Sequence, residues 1–184
     1  VGSPLTALTA QDSGPLNFTG SIAGCTNFAG SLPTGFTAQS SVFDFDGSGD
    51  VVTFTGGNTG SGKTWDDLVG GYYDNTNSIN YLKSFTMCAW VRQENDFGIF
   101  LNIGAKASAD GGGWYIRATD SGEVTFWRYS GPTSDGVGIV GVQTAADTVP
   151  DDTWTHLACV ADFSQYDESG TANNYFHVYA NGVK

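Results

Sequence analysis

Residues 152–162 read DTWTHLACVAD and residues 174–184 read NYFHVYANGVK. Each stretch alternates as a sheet strand does, with successive side chains on opposite faces. The segment between them, FSQYDESGTAN, is a polar connection. The second stretch closes on Asn181-Gly182, a dipeptide that tolerates positive φ and marks a tight turn. In the last strand Phe176, Val178 and Ala180 are expected in the core, with Tyr175, His177 and Tyr179 on the other face. A third stretch, SFTMCAWVRQ at 84–93, has the same character. Its apolar residues fall on both faces, Phe85, Met87, Ala89 and Val91 against Cys88 and Trp90, which predicts a strand covered on both sides in mid-sheet.

The same cadence runs outward along the chain. SVFDFDGSGDVVTF, from Ser41, reads as two strand pieces around Gly47-Ser48-Gly49. Further strands are predicted at 97–103, 113–119, 122–129 and 137–143, with turns at Asp110-Gly111-Gly112 and Asp120-Ser121-Gly122. Residues 1–40, rich in small polar residues, fit one or two short strands with long connections. Residues 56–82 form a polar excursion with a short helix expected at Trp65–Val69, stopped by Gly70-Gly71. Many short strands, 26 glycines and 14% aromatic residues in 184 residues predict an all-β fold. Its form is an antiparallel β-sandwich, or jelly roll, of two packed sheets in a single domain.

The charge balance narrows the partners. Asp and Glu number 19 against 7 Lys and Arg, a net charge of -12. Such a surface repels a phosphate backbone, which excludes nucleic acid as a partner, and disfavours an anionic membrane surface. It invites a divalent cation. No stretch approaches a membrane span. VGSPLTALTA lacks the basic start and apolar run of a signal peptide. The first residue is not Met, which fits a processed product or a piece of a longer chain. Asn17-Phe18-Thr19 is a formal glycosylation sequon. The three cysteines, Cys25, Cys88 and Cys159, cannot all pair within one chain.

Several motifs carry or imitate chemistry. Gly57-Asn58-Thr59-Gly60-Ser61-Gly62-Lys63-Thr64 satisfies the G-x-x-x-x-G-K-S/T pattern of phosphate-binding loops. That pattern works where a helix N-terminus receives the phosphate. Here the helix would stop within two turns, so a flexible loop is the expected reading. Asp44, Asp46 and Asp50 crowd around Gly47-Ser48-Gly49. Two readings stand: ordinary aspartate-glycine turn chemistry, or calcium held by Asp46 and Asp50. Asp74 with Asn75 and Asn77 reads as a solvated loop. Glu94-Asn95-Asp96-Phe97-Gly98-Ile99 is the nearest string to the glucanase pattern E-x-D-x-x-E, and its last position is isoleucine. Retaining hydrolysis needs two carboxyl groups across the bond, and Glu94, Glu123 and Glu168, the glutamates of the chain, form no such pair. His156 and His177 read as hydrogen-bonded strand residues rather than zinc ligands. Trp114, Tyr115, Trp127 and Tyr129 lie on two paired strands. Rings there either stack on a sugar face beside polar groups or fill the core.

Taken in order, Phe45-Asp46-Gly47, Phe85–Val91, the pair Trp114–Arg117 and Val124–Tyr129, Trp154-Thr155-His156-Leu157-Ala158 and Tyr179-Ala180-Asn181-Gly182 resemble the laminin-G-like, or concanavalin-A-like, jelly roll. The resemblance covers about residues 41–184. It implies more strands past the Asn181-Gly182 turn, which a continuation of the chain or a neighbouring chain would supply by β-addition, since an unfinished sandwich leaves a bare edge. Pentraxins share the architecture and bridge two of these strands by a disulfide. Their first cysteine matches Cys88 and their second matches Ala158, one residue from Cys159. The resemblance thus raises a Cys88–Cys159 bridge, against buried free thiols as the alternative. It also places Asp110 where pentraxins put a calcium-binding aspartate.

The expectation is a non-enzymatic module at an extracellular, cell-surface or virion-surface position. It would bind glycan or a surface protein, with calcium as the one cofactor in view. A structural decoration or fibre component is the rival reading, and a glycoside hydrolase a distant one.

Overall fold

A computed structural model describes residues 9–11, 19–28, 30, 31–36, 42–46, 48–54, 73–74, 79–80, 84–94, 98–103, 113–129, 140–162 and 176–184. The chain forms two compact units, Val1–Leu68 and Val69–Lys184. The expected helix at 65–69 and the phosphate-loop string at 57–64 lie outside the described residues.

In the first unit, β1 (Thr9–Gln11), β2 (Thr19–Ala23) and β5 (Val51–Phe54) make an antiparallel sheet in the order β1-β2-β5. Strands β3 (Thr26–Asn27) and β4 (Phe43–Asp44) pair beside each other in sequence order. Phe43 and Phe45 point the same way and meet edge to face, with centroids 6.0 Å apart. Both are exposed.

The second unit opens with the short pair β6 (Tyr73–Asp74) and β7 (Ile79–Asn80) inside the polar excursion. Two larger antiparallel sheets follow. One orders β12 (Val140–Gln143), β11 (Val124–Tyr129), β10 (Gly113–Ala118) and β9 (Gly98–Ile103) as a meander. The other orders β14 (Phe176–Ala180), β13 (Thr155–Ala161) and β8 (Phe85–Val91). No helix occurs among the described residues. The two sheets pack face to face on one core of Val91, Trp114, Ile116, Val124, Phe126, Val149, Leu157, Cys159, Ala161, Phe176 and Val178. This is the antiparallel β-sandwich that alternation predicts. Every second residue of β13 is buried, and in β14 Phe176 and Val178 are core while His177 and Tyr179 are half-buried.

Aromatic geometry fixes the centre of that core. Trp114 stacks on Phe126 at 5.6 Å, takes the edge of Phe85 at 4.7 Å, and lies 5.7 Å from Phe176. Val149 plugs one end from the loop before β13, and its N–H bonds the carbonyl of Gly122 at 2.9 Å. The Asn181-Gly182 turn forms as its residues require. Both have positive φ, 50° and 82°, and Ala180 and Val183 exchange backbone hydrogen bonds of 2.9 Å across it. This is the hairpin geometry in which a glycine carries no Cβ penalty.

One expectation is corrected. Strand β8 is the outermost strand of its described sheet rather than a central one. Cys88, Ala89 and Trp90 are exposed, Trp90 to 41%. An apolar run on both faces is compatible with double coverage but does not create it; Phe85, Met87 and Val91 reach the core while the opposite face stays open.

Candidate functional site

The phase set by the core decides which side chains of the four-stranded sheet face outward. Trp114, Ile116 and Ala118 on β10, and Val124 and Phe126 on β11, are buried inward, so Tyr115, Arg117, Thr125 and Trp127 point out. Register aligns them in two rows: Tyr115 opposite Trp127, itself opposite Gly141, and Arg117 opposite Thr125, itself opposite Gln143. Tyr115 and Trp127 meet edge to face at 5.5 Å. The Arg117 guanidinium carbon lies 5.1 Å from the Trp127 ring centroid and 6.0 Å from that of Tyr115. These are cation–π distances. A register shift in the β9–β10 ladder falls between Ile116 and Arg117, and such bulges re-aim side chains locally.

Two details shape this face. A Cβ added at Gly141 would stand 2.2 Å from Trp127 Cδ1 and 2.3 Å from the Phe126 carbonyl oxygen. The indole therefore reaches over β12 because that position has no side chain. Thr125, cross-strand from Arg117, is fully buried, and its hydroxyl has no hydrogen-bond partner among the described residues. Beside it, Glu123 accepts from Gln143 Nε2 at 2.9 Å and from Thr119 Oγ1 at 3.3 Å.

Of the four aromatic residues expected to bind ligand, the structure brings two together on an outward face. Tyr115 is 9% exposed and Trp127 half-buried. Trp114 is a correction: at 4% exposure it belongs to the core, because it is one residue out of phase with Tyr115. Tyr129 ends β11 opposite Gly113, and its side chain lies outside the description. Arg117 and Gly141 went unnoticed in the sequence. The available signal was the spacing of Arg117, two residues from Tyr115 on one strand.

The acidic turn is held by its own carboxylates. The Asp50 carboxylate accepts the Asp46 backbone N–H at 2.6 Å, and Asp46 accepts that of Ser48 at 2.7 Å. Among the described residues no three His, Cys, Asp or Glu side chains converge as a metal site. Asp46 and Asp50 would supply only part of the six to eight oxygens calcium takes, and Asp110 lies outside the described residues. Asp74 is in β6; Asn75 and Asn77 are outside the description.

The Cys88–Cys159 bridge is a second correction, since all three thiols are free. Cys88 stands opposite Ala158, and Cys159 opposite Met87. This offset of one residue puts the two sulfurs on opposite faces of the sheet. Cys159 is buried in the core, and burial first, then Cys88, pushes its thiol up to about 12. Burial, followed by the Asp50 charge, also raises Cys25.

His156 and His177 share the outer face of the three-stranded sheet. His177 is opposite Val160, four residues along β13 from His156, which sets the two positions about 13 Å apart along the strand direction. His156 instead meets the Trp90 ring at 5.3 Å, and its backbone N–H donates to Asn181 Oδ1 at 3.0 Å. No helix among the described residues is long and apolar enough to cross a membrane.

An antiparallel sandwich with ring-bearing sheet faces is the architecture of lectin-like domains. Residues 46–184 match the laminin-G-type family model described as the concanavalin A-like lectin/glucanases superfamily, and the chain belongs to that superfamily. Domains of this kind bind carbohydrate or protein in general. No curated protein and no solved structure matches the chain.

Proposed function

We propose that this chain is a non-enzymatic recognition module that binds glycan, free or carried on a surface protein, through the outer face of the four-stranded sheet. The observation that carries this reading is the outward pair of Tyr115 and Trp127 with Arg117 over both rings. Sugar rings stack their apolar faces on such side chains while polar neighbours bond hydroxyls. The test is a glycan array probed with the chain and with Trp127→Ala. The reading expects discrete hits that weaken at least about tenfold in the variant. A blank array, or binding indifferent to Trp127, ends it. Binding at this face needs no metal, so hits should survive EDTA. Their loss, with recovery on adding calcium, would contradict this face as the binding site. The setting we propose is extracellular, on a cell or on a virion; net charge -12 and the Asn17 sequon support it.

A second reading, structural decoration of an assembly, is favoured by one observation. β8 is outermost in its described sheet, with Ala89 and Trp90 exposed. In this reading a neighbouring strand pairs along β8. Proline at Cys88 or at Ala89 removes one outward N–H at one of the two positions. Assembly measured by light scattering should fail in that variant; assembly unchanged in both variants excludes this edge.

A further inference from the structure

Asn181-Gly182 is the one Asn-Gly pair of the chain, and its turn does more than reverse the strand. The β13–β14 ladder ends with Leu157 opposite Ala180. One step on, the Asn181 N–H donates to the His156 carbonyl at 2.9 Å, and the His156 N–H donates to Asn181 Oδ1 at 3.0 Å. A regular rung of this kind exchanges two main-chain bonds. Here the return bond goes to the side-chain amide, because the main chain has already entered the bend. Asn181 and Gly182 are themselves exposed.

Such a pair carries a reaction of its own. A base, hydroxide in water, takes the proton of the Gly182 N–H. The nitrogen attacks Asn181 Cγ, the Cγ–Nδ2 bond breaks, and Nδ2 takes up a proton and leaves as ammonia. Water then opens the five-membered imide. Cleavage at Cγ gives aspartate; cleavage at the main-chain carbonyl gives isoaspartate, with the backbone routed through Cγ. Glycine favours the attack because it has no Cβ to crowd the nitrogen.

The turn decides when the ring can close. Positive φ at both residues, 50° and 82°, is type I′; type II′ has it at the first alone. The first residue has ψ of about +30° in type I′ and about −120° in type II′. The second value brings Cβ nearly eclipsed with the next nitrogen, as ring closure requires. The first holds them on nearly opposite sides of the Cα–C bond. Oδ1 is also tied to His156, and Ala180 and Val183 exchange two bonds of 2.9 Å across the turn.

We infer that Asn181 is a self-modifying site gated by its own turn, converting to isoaspartate or aspartate only when the end of β14 opens. The change is one-way. Isoaspartate lengthens the main chain by one carbon, so the two bonds to His156 no longer form in register. Aspartate keeps an oxygen at the Oδ1 position and keeps the clip. The test incubates the chain in mildly alkaline buffer with and without urea, and follows the peptide that starts at Ala180 by mass spectrometry. The unfolded chain should gain one mass unit at Asn181 about tenfold or more faster, since the two bonds to His156 are together worth about ten- to a hundredfold in an opening equilibrium. Equal rates, or an unfolded chain that stays unmodified, overturns the inference. Val183→Pro tests the gate in the folded chain. It removes the Val183 N–H bond to Ala180 at a residue 73% exposed and leaves the reacting pair intact. It should raise the native rate about threefold or more and leave the unfolded rate as it was. A native rate indifferent to it overturns the gate. The His156 amide supplies a second readout on the aged chain. Its hydrogen exchange should quicken about tenfold or more in the isoaspartate form and stay slow in Asn181→Asp. Protection unchanged in the isoaspartate form contradicts a one-way opening.

Discussion

The two sheets of the second unit bury the same kind of inner face and present different outer ones. On the four-stranded sheet the outward row is largely buried: Tyr115 is 9% exposed and Thr125 fully buried beside Arg117 and Trp127. On the three-stranded sheet Thr86, Cys88 and Trp90 of β8 are exposed, and His156, Ala158, Val160, His177 and Tyr179 are half-buried. Within the three strands that face carries no Asp, Glu, Lys or Arg, though Arg92 and Asp162 follow in phase at the strand ends. Period-two patterning therefore specifies which residues leave the core. What happens to them outside is set by what lies over each face, which alternation does not encode.

The contrast breaks first at its inner side. Phe126 is fully buried against Trp114, Phe85 and Phe176. Phe126→Ala should cost about 3–5 kcal/mol in urea unfolding, whereas Trp90→Ala on the open face should cost less than about 1 kcal/mol. Equal losses would mean that β8 is covered after all.

A smaller effect separates the thiols by pH. Cys159 has its folded pKa raised to about 12 by burial and by Cys88, above an unfolded value of about 8.5. The folded state keeps a proton that the unfolded state loses, so this stabilisation is complete below pH about 8.5 and lost as pH rises toward about 12. Each unit is worth about 1.4 kcal/mol, an order-of-magnitude total of a few kcal/mol. Unfolding followed from pH 8 to pH 11 should show the decline, and Cys159→Ala should flatten it. Cys88→Ala should leave most of it in place.

Smaller again is the effect of filling the seat of Trp127. Gly141→Ala sets a methyl against the indole and the Phe126 carbonyl and should cost about 1–3 kcal/mol. The same variant should move the Trp127 indole N–H resonance; an unmoved resonance with unchanged stability would show that the ring does not lie there.

Much of this arrangement was legible in the sequence because a sheet writes its faces in alternate letters. Leu157, Cys159 and Ala161 share a phase in THLACVA, and Phe176 and Val178 share one in FHVYA; both phases point inward as read. The Asn181-Gly182 turn is equally local. Trp114 and Tyr115 are adjacent, and only the partner strand decides which one faces the core, so aromatic content alone assigned both to a ligand. β8, expected in mid-sheet, is outermost among the described strands, and residues apolar on both faces show no phase that could have said so. The cysteine bridge was implied by resemblance, while the phase of Cys159 within its own strand runs against it. Arg117 was overlooked because a lone cation has no pattern until register brings two rings beside it. Asp110, the 57–64 loop and the side chain of Tyr129 lie outside the described residues.

Thiol labelling of the native protein, read residue by residue by mass spectrometry, tests the face assignment most directly. Cys88 should react with a maleimide at once, and Cys159 and Cys25 only after denaturant is added. A Cys88–Cys159 cross-linked peptide, or equally fast labelling of Cys159, would contradict the register on which both sheet faces are built.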